Sequence, residues 1–134
     1  DLDLFVSNYI GGNNLYVNDG KGSFAKVSDR IKGAKDGWGK GPAFGDIDHD
    51  GDLDLYEGDC KQANQLYLND GKGNLSLDDS WAPGSRNTTS VAWGDANDDG
   101  WLDVVTSGYN DPRISLFYGQ GDGSFAPVGD VLHV

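Results

Sequence analysis

Three copies of one pattern, about fifty residues apart, constrain the fold of this chain more than any other feature. The copies align at Asp3, Asp54 and Asp103, which are separated by 51 and 49 residues. A repeat of this length is in the range of propeller blades and exceeds most helical solenoid repeats. The 134-residue chain is therefore predicted to consist of similar structural units in series.

Each repeat is predicted to contain four short strands. In the second repeat they are predicted at 43–45, 53–56 and 65–68, with a fourth strand beginning at Leu75. The turn before the fourth strand contains two glycines, which tolerate the positive φ angles of a tight hairpin. Four strands in fifty residues is the anatomy of one propeller blade.

The third strand has apolar side chains on both faces. Leu66 and Leu68 point one way while Tyr67 points the other, and the other two repeats share this alternation. Apolar groups on both faces predict a sheet that is covered on both sides, as neighbouring blades would cover it.

The acidity of the chain agrees with an all-β protein. Its formal net charge is −12, and Glu57 is the single glutamate among 22 acidic residues. Aspartate and the 21 glycines favour turns and metal loops, so a helical bundle is improbable. An acidic surface repels phosphates, so no nucleic-acid partner is expected. The apolar runs are too short for a membrane span.

Two aspartate-rich loops carry the strongest chemical signal, because both follow the pattern D-x-[DN]-x-D-G-x-x-D. In this spacing alternate oxygen side chains converge on one point, glycine allows the sharp turn, and position 7 offers a backbone carbonyl. Such all-oxygen ligation favours Ca²⁺ over Mg²⁺. The predicted ligands are Asp46, Asp48, Asp50, Asp52 and Asp54 in the first loop, and Asp95, Asn97, Asp99, Trp101 and Asp103 in the second. Asp1 and Asp3 match the end of the same loop, which predicts a third, truncated site.

The first loop also satisfies the EF-hand pattern, because Glu57 falls at its twelfth position. An EF-hand needs flanking amphipathic helices, whereas the flanks here are short, bounded by glycine and strand-like. Glu57 is therefore interpreted as an ordinary strand residue.

The motifs at 44–54 (FGDIDHDGDLD) and 64–73 (NQLYLNDGKG) resemble FG-GAP/VCBS repeats, and the resemblance covers nearly the whole chain. These repeats form calcium-binding β-propellers, as in integrin α-subunit heads and cartilage acidic protein. The resemblance implies that the calcium loops join strands 1 and 2 on one face of the disc. It also implies that ligands meet the opposite face, built from the 2–3 loops and the links between blades.

In this interpretation residues 1–134 are part of one propeller. The predicted units are an incomplete blade at 1–31, two complete blades at 42–80 and 90–134, and links at 32–41 and 81–89. They make about two and three-quarter blades of a larger ring, since a closed ring needs about four to eight blades. We expect the ring to have seven. We expect the chain to be a fragment whose partners include the remaining blades. Association of several copies is the alternative.

The opposite face would carry aromatic and basic residues, which are typical interface anchors. The candidates are Tyr9, Cys60, Lys61, Tyr109 and Arg113 in the 2–3 loops, and Trp38, Lys40, Trp81 and Arg86 in the links. The alternative is that each tryptophan packs between blades. A protein or a glycan is the expected ligand.

Three further positions bear on the setting of the protein. Cys60 is the only cysteine, so it is either a free thiol or a bridge to a part outside this chain. Asn74 and Asn87 lie in N-glycosylation sequons, and Asn87 is the better candidate because it lies in a link.

The leading functional prediction is a non-enzymatic, extracellular or cell-surface module for recognition or adhesion, with calcium as a structural clip. Millimolar external calcium fills sites with Kd values of roughly 10⁻⁴–10⁻³ M. An architectural subunit of an extracellular filament or surface assembly is the alternative, and the sequence does not separate the two. An enzyme is a third class. It is disfavoured because the chain contains no nucleophile–base pair and no carboxylate pair outside the metal loops.

Overall fold

The structure, a computed structural model, describes residues 2–34, 37–79 and 87–133, the last four of them by their backbone only. The described residues form three sheets and one short 3-10 turn at Ser28–Arg30. The all-β prediction is therefore confirmed. None of the described residues belongs to a helix long and apolar enough to cross a membrane.

The three sheets follow one another along the chain. The first contains β1 (Leu4–Val6), β2 (Asn14–Asn18) and β3 (Phe24–Lys26). The middle sheet contains β4 (Ile31–Lys32), β5 (Gly39–Gly45), β6 (Asp54–Asp59), β7 (Gln65–Asn69) and β8 (Leu75–Asp78). The third contains β9 (Thr88–Gly94), β10 (Asp103–Gly108), β11 (Asp111–Gly119) and β12 (Phe125–His133). The strands predicted for the second repeat overlap β5 to β8.

The middle sheet differs from the predicted four antiparallel strands. Its strand order is β4-β8-β7-β6-β5, and β4 pairs with β8 in parallel, with Ile31 opposite Leu75. The chain that leaves the first sheet therefore crosses to the outer edge of the middle one. Ile31 makes this crossing favourable because it packs against the buried cluster that contains Leu75. In addition, β5 and β9 begin inside the segments predicted as links.

Two apolar clusters cover the two faces of the middle sheet. In β6, Leu55 joins the cluster shared with the first sheet, and Tyr56 joins the one shared with the third. In β7, Tyr67 joins the cluster shared with the first sheet, and Leu66 joins the one shared with the third. Adjacent strand residues point to opposite faces, so the alternation read in the sequence places apolar groups on both sides. The prediction of a sheet covered on both faces is confirmed.

Strand β5 of the middle sheet and strand β9 of the third sheet approach closely. Gly41 has a φ of 53°, and a Cβ added there would lie 2.9 Å from the carbonyl oxygen of Thr89. Because consecutive strands are antiparallel, the β5–β6 loop and the β7–β8 turn share one end of the middle sheet. The β6–β7 loop lies at the other end. The two ends are called the aspartate end and the opposite end below.

Candidate metal and ligand-binding sites

The first aspartate-rich loop connects β5 to β6 and brings three carboxylates together. Asp46, Asp48 and Asp50 each offer one oxygen, and these oxygens lie within 4.8 Å of one another. His49 and Gly51 have φ angles of 60° and 96°. These two left-handed residues wrap the loop, so alternate side chains converge as the D-x-D-x-D-G spacing predicts.

The second loop repeats the backbone conformation of the first. Asp98 and Gly100 have φ angles of 61° and 92°. Asn97 Oδ1 accepts a hydrogen bond from the N–H of Asp99 at 3.0 Å, and Asp99 Oδ1 accepts one from the N–H of Trp101 at 2.9 Å. The first loop makes the same two bonds at 3.3 and 2.9 Å. The duplicated sequence therefore folds into a duplicated loop.

The oxygens of the second loop have more partners within the loop itself. Asp95 accepts hydrogen bonds from the amides of Asp99 and Gly100 at 3.1 and 2.8 Å. Asn97 Nδ2 donates to Asp99 Oδ2 at 2.8 Å. Asn97 at the third position and Trp101 at the seventh mean that this loop offers two carboxylates fewer at its ligand positions than the first. Its predicted metal site stays a prediction.

The two loops also differ in burial. Asp46 and Asp48 are half-buried, whereas the side chains at 95, 97 and 99 are exposed. His49 contacts Trp101 of the second aspartate-rich loop edge-to-face, with ring centroids 4.6 Å apart. The second loop therefore covers part of the first, and no sheet in the described part of the chain follows the second.

The aspartate at the ninth loop position ties the loop to the sheet. Asp54 is fully buried. Its Oδ2 accepts the N–H of Ile47 at 3.1 Å, and its Oδ1 accepts the N–H of Asn69 at the end of β7 at 2.8 Å. Asp103 accepts the equivalent two amides at 2.7 and 3.0 Å. Asp3 accepts one, at 2.9 Å. These three residues were predicted as metal ligands, and the structure gives them a structural contact as well. Asp1 lies outside the described residues.

The electrostatics of the first loop suit a cation. Oδ1 of Asp46 is buried without a hydrogen-bond partner. Burial, followed by the charge of Asp50, raises the pKa of Asp48 above its usual range. Burial also raises the pKa of Asp54 to about 6, although two backbone amides oppose this shift. A buried lone oxygen and crowded carboxylates are both relieved by a bound divalent ion. The donor set therefore fits a hard cation.

The opposite end of the blades brings together four of the predicted ligand-face residues. The rings of Tyr9 and Trp38 lie 4.4 Å apart at an interplanar angle of 30°. The ammonium group of Lys40 lies 5.7 Å from the Tyr9 ring, and that of Lys61 lies 5.4 Å from the Trp38 ring. We call these four residues the aromatic–lysine cluster.

The remaining ligand-face candidates do not join this cluster. Arg113 forms a bidentate pair with Asp111, with N–O distances of 2.7 and 2.6 Å. Tyr109 is 68% exposed. Cys60 is a free, half-buried thiol whose sulfur lies 3.4 Å from the carbonyl oxygen of Thr88. Trp81 and Arg86 lie outside the described residues.

Sequence reasoning missed the part that Glu57 plays. It lies in β6, as predicted for a strand residue, but it is fully buried. Its Oε1 accepts a hydrogen bond from the hydroxyl of Ser7, and its Oε2 accepts one from Asn13 Nδ2 at 2.6 Å. Both donors belong to the first sheet or its loop. Burial raises the pKa of Glu57, and the two hydrogen bonds oppose the shift. The only signal in the sequence was a single glutamate at a position where the other repeats have Val6 and Thr106.

The two sequon asparagines have different surroundings. Asn74 is half-buried, and its Nδ2 donates to Asp70 Oδ2 at 2.7 Å. Asn87 is exposed. The side-chain nitrogen that would carry a glycan is therefore already hydrogen-bonded at Asn74, which leaves Asn87 as the better candidate.

Successive sheets that share apolar clusters, with aspartate-rich loops between β5 and β6 and between β9 and β10, define a repeat protein whose strands pair antiparallel except for β4 with β8. The FG-GAP-like repeat family matches residues 1–57 and again residues 58–106. The chain belongs to this family, as its motifs predicted. A search of curated proteins found no match.

Proposed function

We propose that the chain is part of a calcium-binding β-propeller that acts outside the cell as a non-enzymatic recognition or adhesion module. Its family supports the general role, because FG-GAP repeats are typical of adhesion and recognition proteins. The observation that carries the calcium proposal is the convergence of Asp46, Asp48 and Asp50, with a buried Asp46 oxygen that has no hydrogen bond.

In this proposal calcium acts as a structural clip. The first loop joins β5 to β6, and Asp54 ties the same loop to the end of β7. An ion held by this loop would bind the folded sheet better than the unfolded chain. At 1 mM calcium and a Kd of 10⁻⁴–10⁻³ M, each site would add about 0.4–1.4 kcal/mol to the free energy of unfolding. Sites of this affinity fill outside the cell, which supports an extracellular or cell-surface setting.

The exposed face of the first sheet supports a ring of further blades. Leu4 and Phe24 occupy the positions of Leu55 and Leu75 in the middle sheet. They are 48% and 50% exposed, whereas their counterparts are 0% and 3% exposed. In the middle sheet these positions pack on the preceding sheet. A preceding blade would therefore cover them here.

The proposal assigns ligand binding, and no catalysis, to the opposite end. Glu57 and one oxygen of Asp59 serve structural contacts. Glu57 accepts hydrogen bonds from the β1–β2 loop of the first sheet, and Asp59 Oδ1 accepts the amides of Lys61 and Gln62 at 2.6 and 2.8 Å. The exposed aromatic and basic groups at this end are the contacts expected of a binding surface.

Thermal unfolding of the intact protein in calcium and in EDTA tests the clip. We expect calcium to raise Tm and to reduce proteolysis. Asp50→Ala should remove part of this response, since it deletes one of the three converging carboxylates. Asp29→Ala is the matched control, because it removes an exposed aspartate outside the loops. Equal melting with and without calcium would show that the clip is wrong.

A further inference from the structure

We infer that the aromatic–lysine cluster is a binding site for a carboxylated sugar residue. This inference rests on the recognition function proposed above. Tyr9 comes from the loop after β1, Trp38 directly precedes β5, Lys40 lies in β5, and Lys61 lies in the β6–β7 loop. The site therefore forms only where the first and middle sheets adjoin.

The cluster is built around an aromatic pair. Tyr9 and Trp38 contact each other through their rings, and each ring also has one ammonium group over it, that of Lys40 at Tyr9 and that of Lys61 at Trp38. An ammonium group over an aromatic face is held by about 0.5–1 kcal/mol at an exposed site. The aromatic pair therefore positions two cations in one cluster.

These two lysines are available to a ligand. Both side chains are exposed, and among the described contacts neither forms an ion pair with a carboxylate. The protein as a whole carries a formal charge of −12. Its surface repels a long polyanion, but at physiological ionic strength charges beyond about 8 Å are largely screened. A short ligand with a single carboxylate therefore senses mainly the charges of the site itself. These are Lys61 in the groove wall, Lys40 beside Tyr9, and one opposing carboxylate, that of Asp59, which is buried behind Gly37.

The space beside the stack limits the size of that ligand. An open groove of about 270 Å³ is lined by Tyr9, Ile10, Gly11, Gly37, Trp38 and Lys61. This volume lies just below the range of drug-sized ligand pockets, so it suits a segment about as large as one sugar residue. Ile10 is 82% exposed, and a Cβ added at Gly11 would meet no atom within 4 Å. The ligand therefore enters without displacing protein atoms.

A sugar fits this groove better than an acidic peptide. Extended peptides commonly bind by adding a strand to an exposed sheet edge, whereas this groove is lined by loops and a link. Aromatic rings, a tyrosine hydroxyl and ammonium groups complement the ring, hydroxyls and carboxylate of a uronic-acid residue. A neutral sugar would offer the two ammonium groups no negative charge, and their aromatic contacts would be their only favourable charge interactions in the cluster.

Isothermal titration of the intact protein in calcium, with hyaluronan tetrasaccharide and tetragalacturonate as probes, tests the inference. We expect at least one probe to bind, and to bind more weakly at higher salt. The double variant Lys40→Gln/Lys61→Gln should lose about two- to thirtyfold in affinity, as two exposed charge contacts would supply. Lys21→Gln/Lys72→Gln is the matched control, since it makes the same charge change in the turns at the aspartate end.

Tyr9→Ala provides a second variant, and the melting temperature of each variant shows that it is folded. Failure of both probes, or equal binding of chitotetraose or tetraglutamate, would overturn the inference. So would equal affinity of the two double variants. Melting in calcium and EDTA on the same samples separates the two claims. If calcium stabilises the protein while both probes fail, the site is wrong and the calcium-stabilised module stands. If calcium has no effect, the clip is wrong whether or not a probe binds.

Discussion

Glu57 joins the first sheet to the middle sheet through two hydrogen bonds, so its replacement by alanine should weaken the contact between them. The carboxylate is fully buried in β6, and it accepts from Ser7 and Asn13 across the interface. Removing it leaves two half-buried donors without their acceptor. Each hydrogen bond to a charged group contributes about 1.5–3 kcal/mol, and relief of the buried charge offsets part of the loss. We expect Glu57→Ala to lower the free energy of unfolding by about 2–4 kcal/mol.

Glu57→Gln is the matched variant, because it keeps the side-chain volume and removes the charge. A glutamine can accept from Asn13 and donate to the hydroxyl oxygen of Ser7, so both contacts survive as neutral hydrogen bonds. We expect its free energy of unfolding at pH 7 to lie within about 1 kcal/mol of the parent.

The stability of the parent and that of Glu57→Gln should depend differently on pH. Burial raises the pKa of Glu57 in the folded protein above that of the unfolded chain, which is about 4.3. The folded state therefore binds the proton more tightly. The stability that comes from this tighter proton binding by Glu57 is fully present below the unfolded-state pKa and is lost as the pH rises through the folded-state pKa. Glu57→Gln lacks this contribution. Relative to it, the parent should lose stability on going from pH 4 to pH 7.

Urea denaturation of the parent and variants at several pH values, in EDTA to exclude metal effects, measures both quantities. A double-mutant cycle of Glu57→Ala with Asn13→Ala tests the bridge directly. Neighbouring residues that interact show coupling energies of about 0.5–3 kcal/mol. Strict additivity, or a parent that gains stability relative to Glu57→Gln as the pH rises, would refute the reasoning.

Three other changes have defined outcomes. Leu66→Ala should lower the free energy of unfolding by about 2–5 kcal/mol because Leu66 is fully buried, whereas Leu53→Ala, at a side chain 57% exposed, should cost under about 1 kcal/mol in the same denaturation assay. Gly37→Ala should lower Tm because the added Cβ would overlap the buried carboxylate of Asp59, whereas Gly12→Ala, with open space, should leave Tm nearly unchanged. Asp99→Ala should abolish calcium binding at the second loop and leave binding at the first loop intact. The number of calcium ions bound, measured by titration calorimetry, tests this. Loss of both sites would contradict the view that the two loops bind independently.

The strands and the two-faced burial were predictable because they depend on local pattern. The alternation of Leu66 and Tyr67 alone divides them between two apolar clusters. The loop conformation was predictable for the same reason, since the glycine at position 6 and the alternating acidic residues act within nine positions.

Contacts between repeats were much harder to foresee. The Glu57 bridge depends on donors 50 and 44 residues earlier in the chain. The pairing of β4 with β8 likewise joins segments far apart in sequence, and a two-residue strand carries almost no periodic signal. The role of Asp54 was predicted only in part. Its place in the motif was clear, but its hydrogen bond to the amide of Asn69 depends on where β7 ends.

The crossing of β4 has a consequence for solubility. An open outer strand is a template on which other chains can aggregate. In the middle sheet β4 pairs with β8, so that edge presents only a two-residue strand. In the third sheet β12 is the outer strand among the described residues, and it carries Pro127 together with two irregularities in its register with β11. Proline has no N–H to donate, and bulges bend a strand away from a partner. These two outer edges are therefore blunted in different ways, which protects them against edge-to-edge stacking while the sheets assemble.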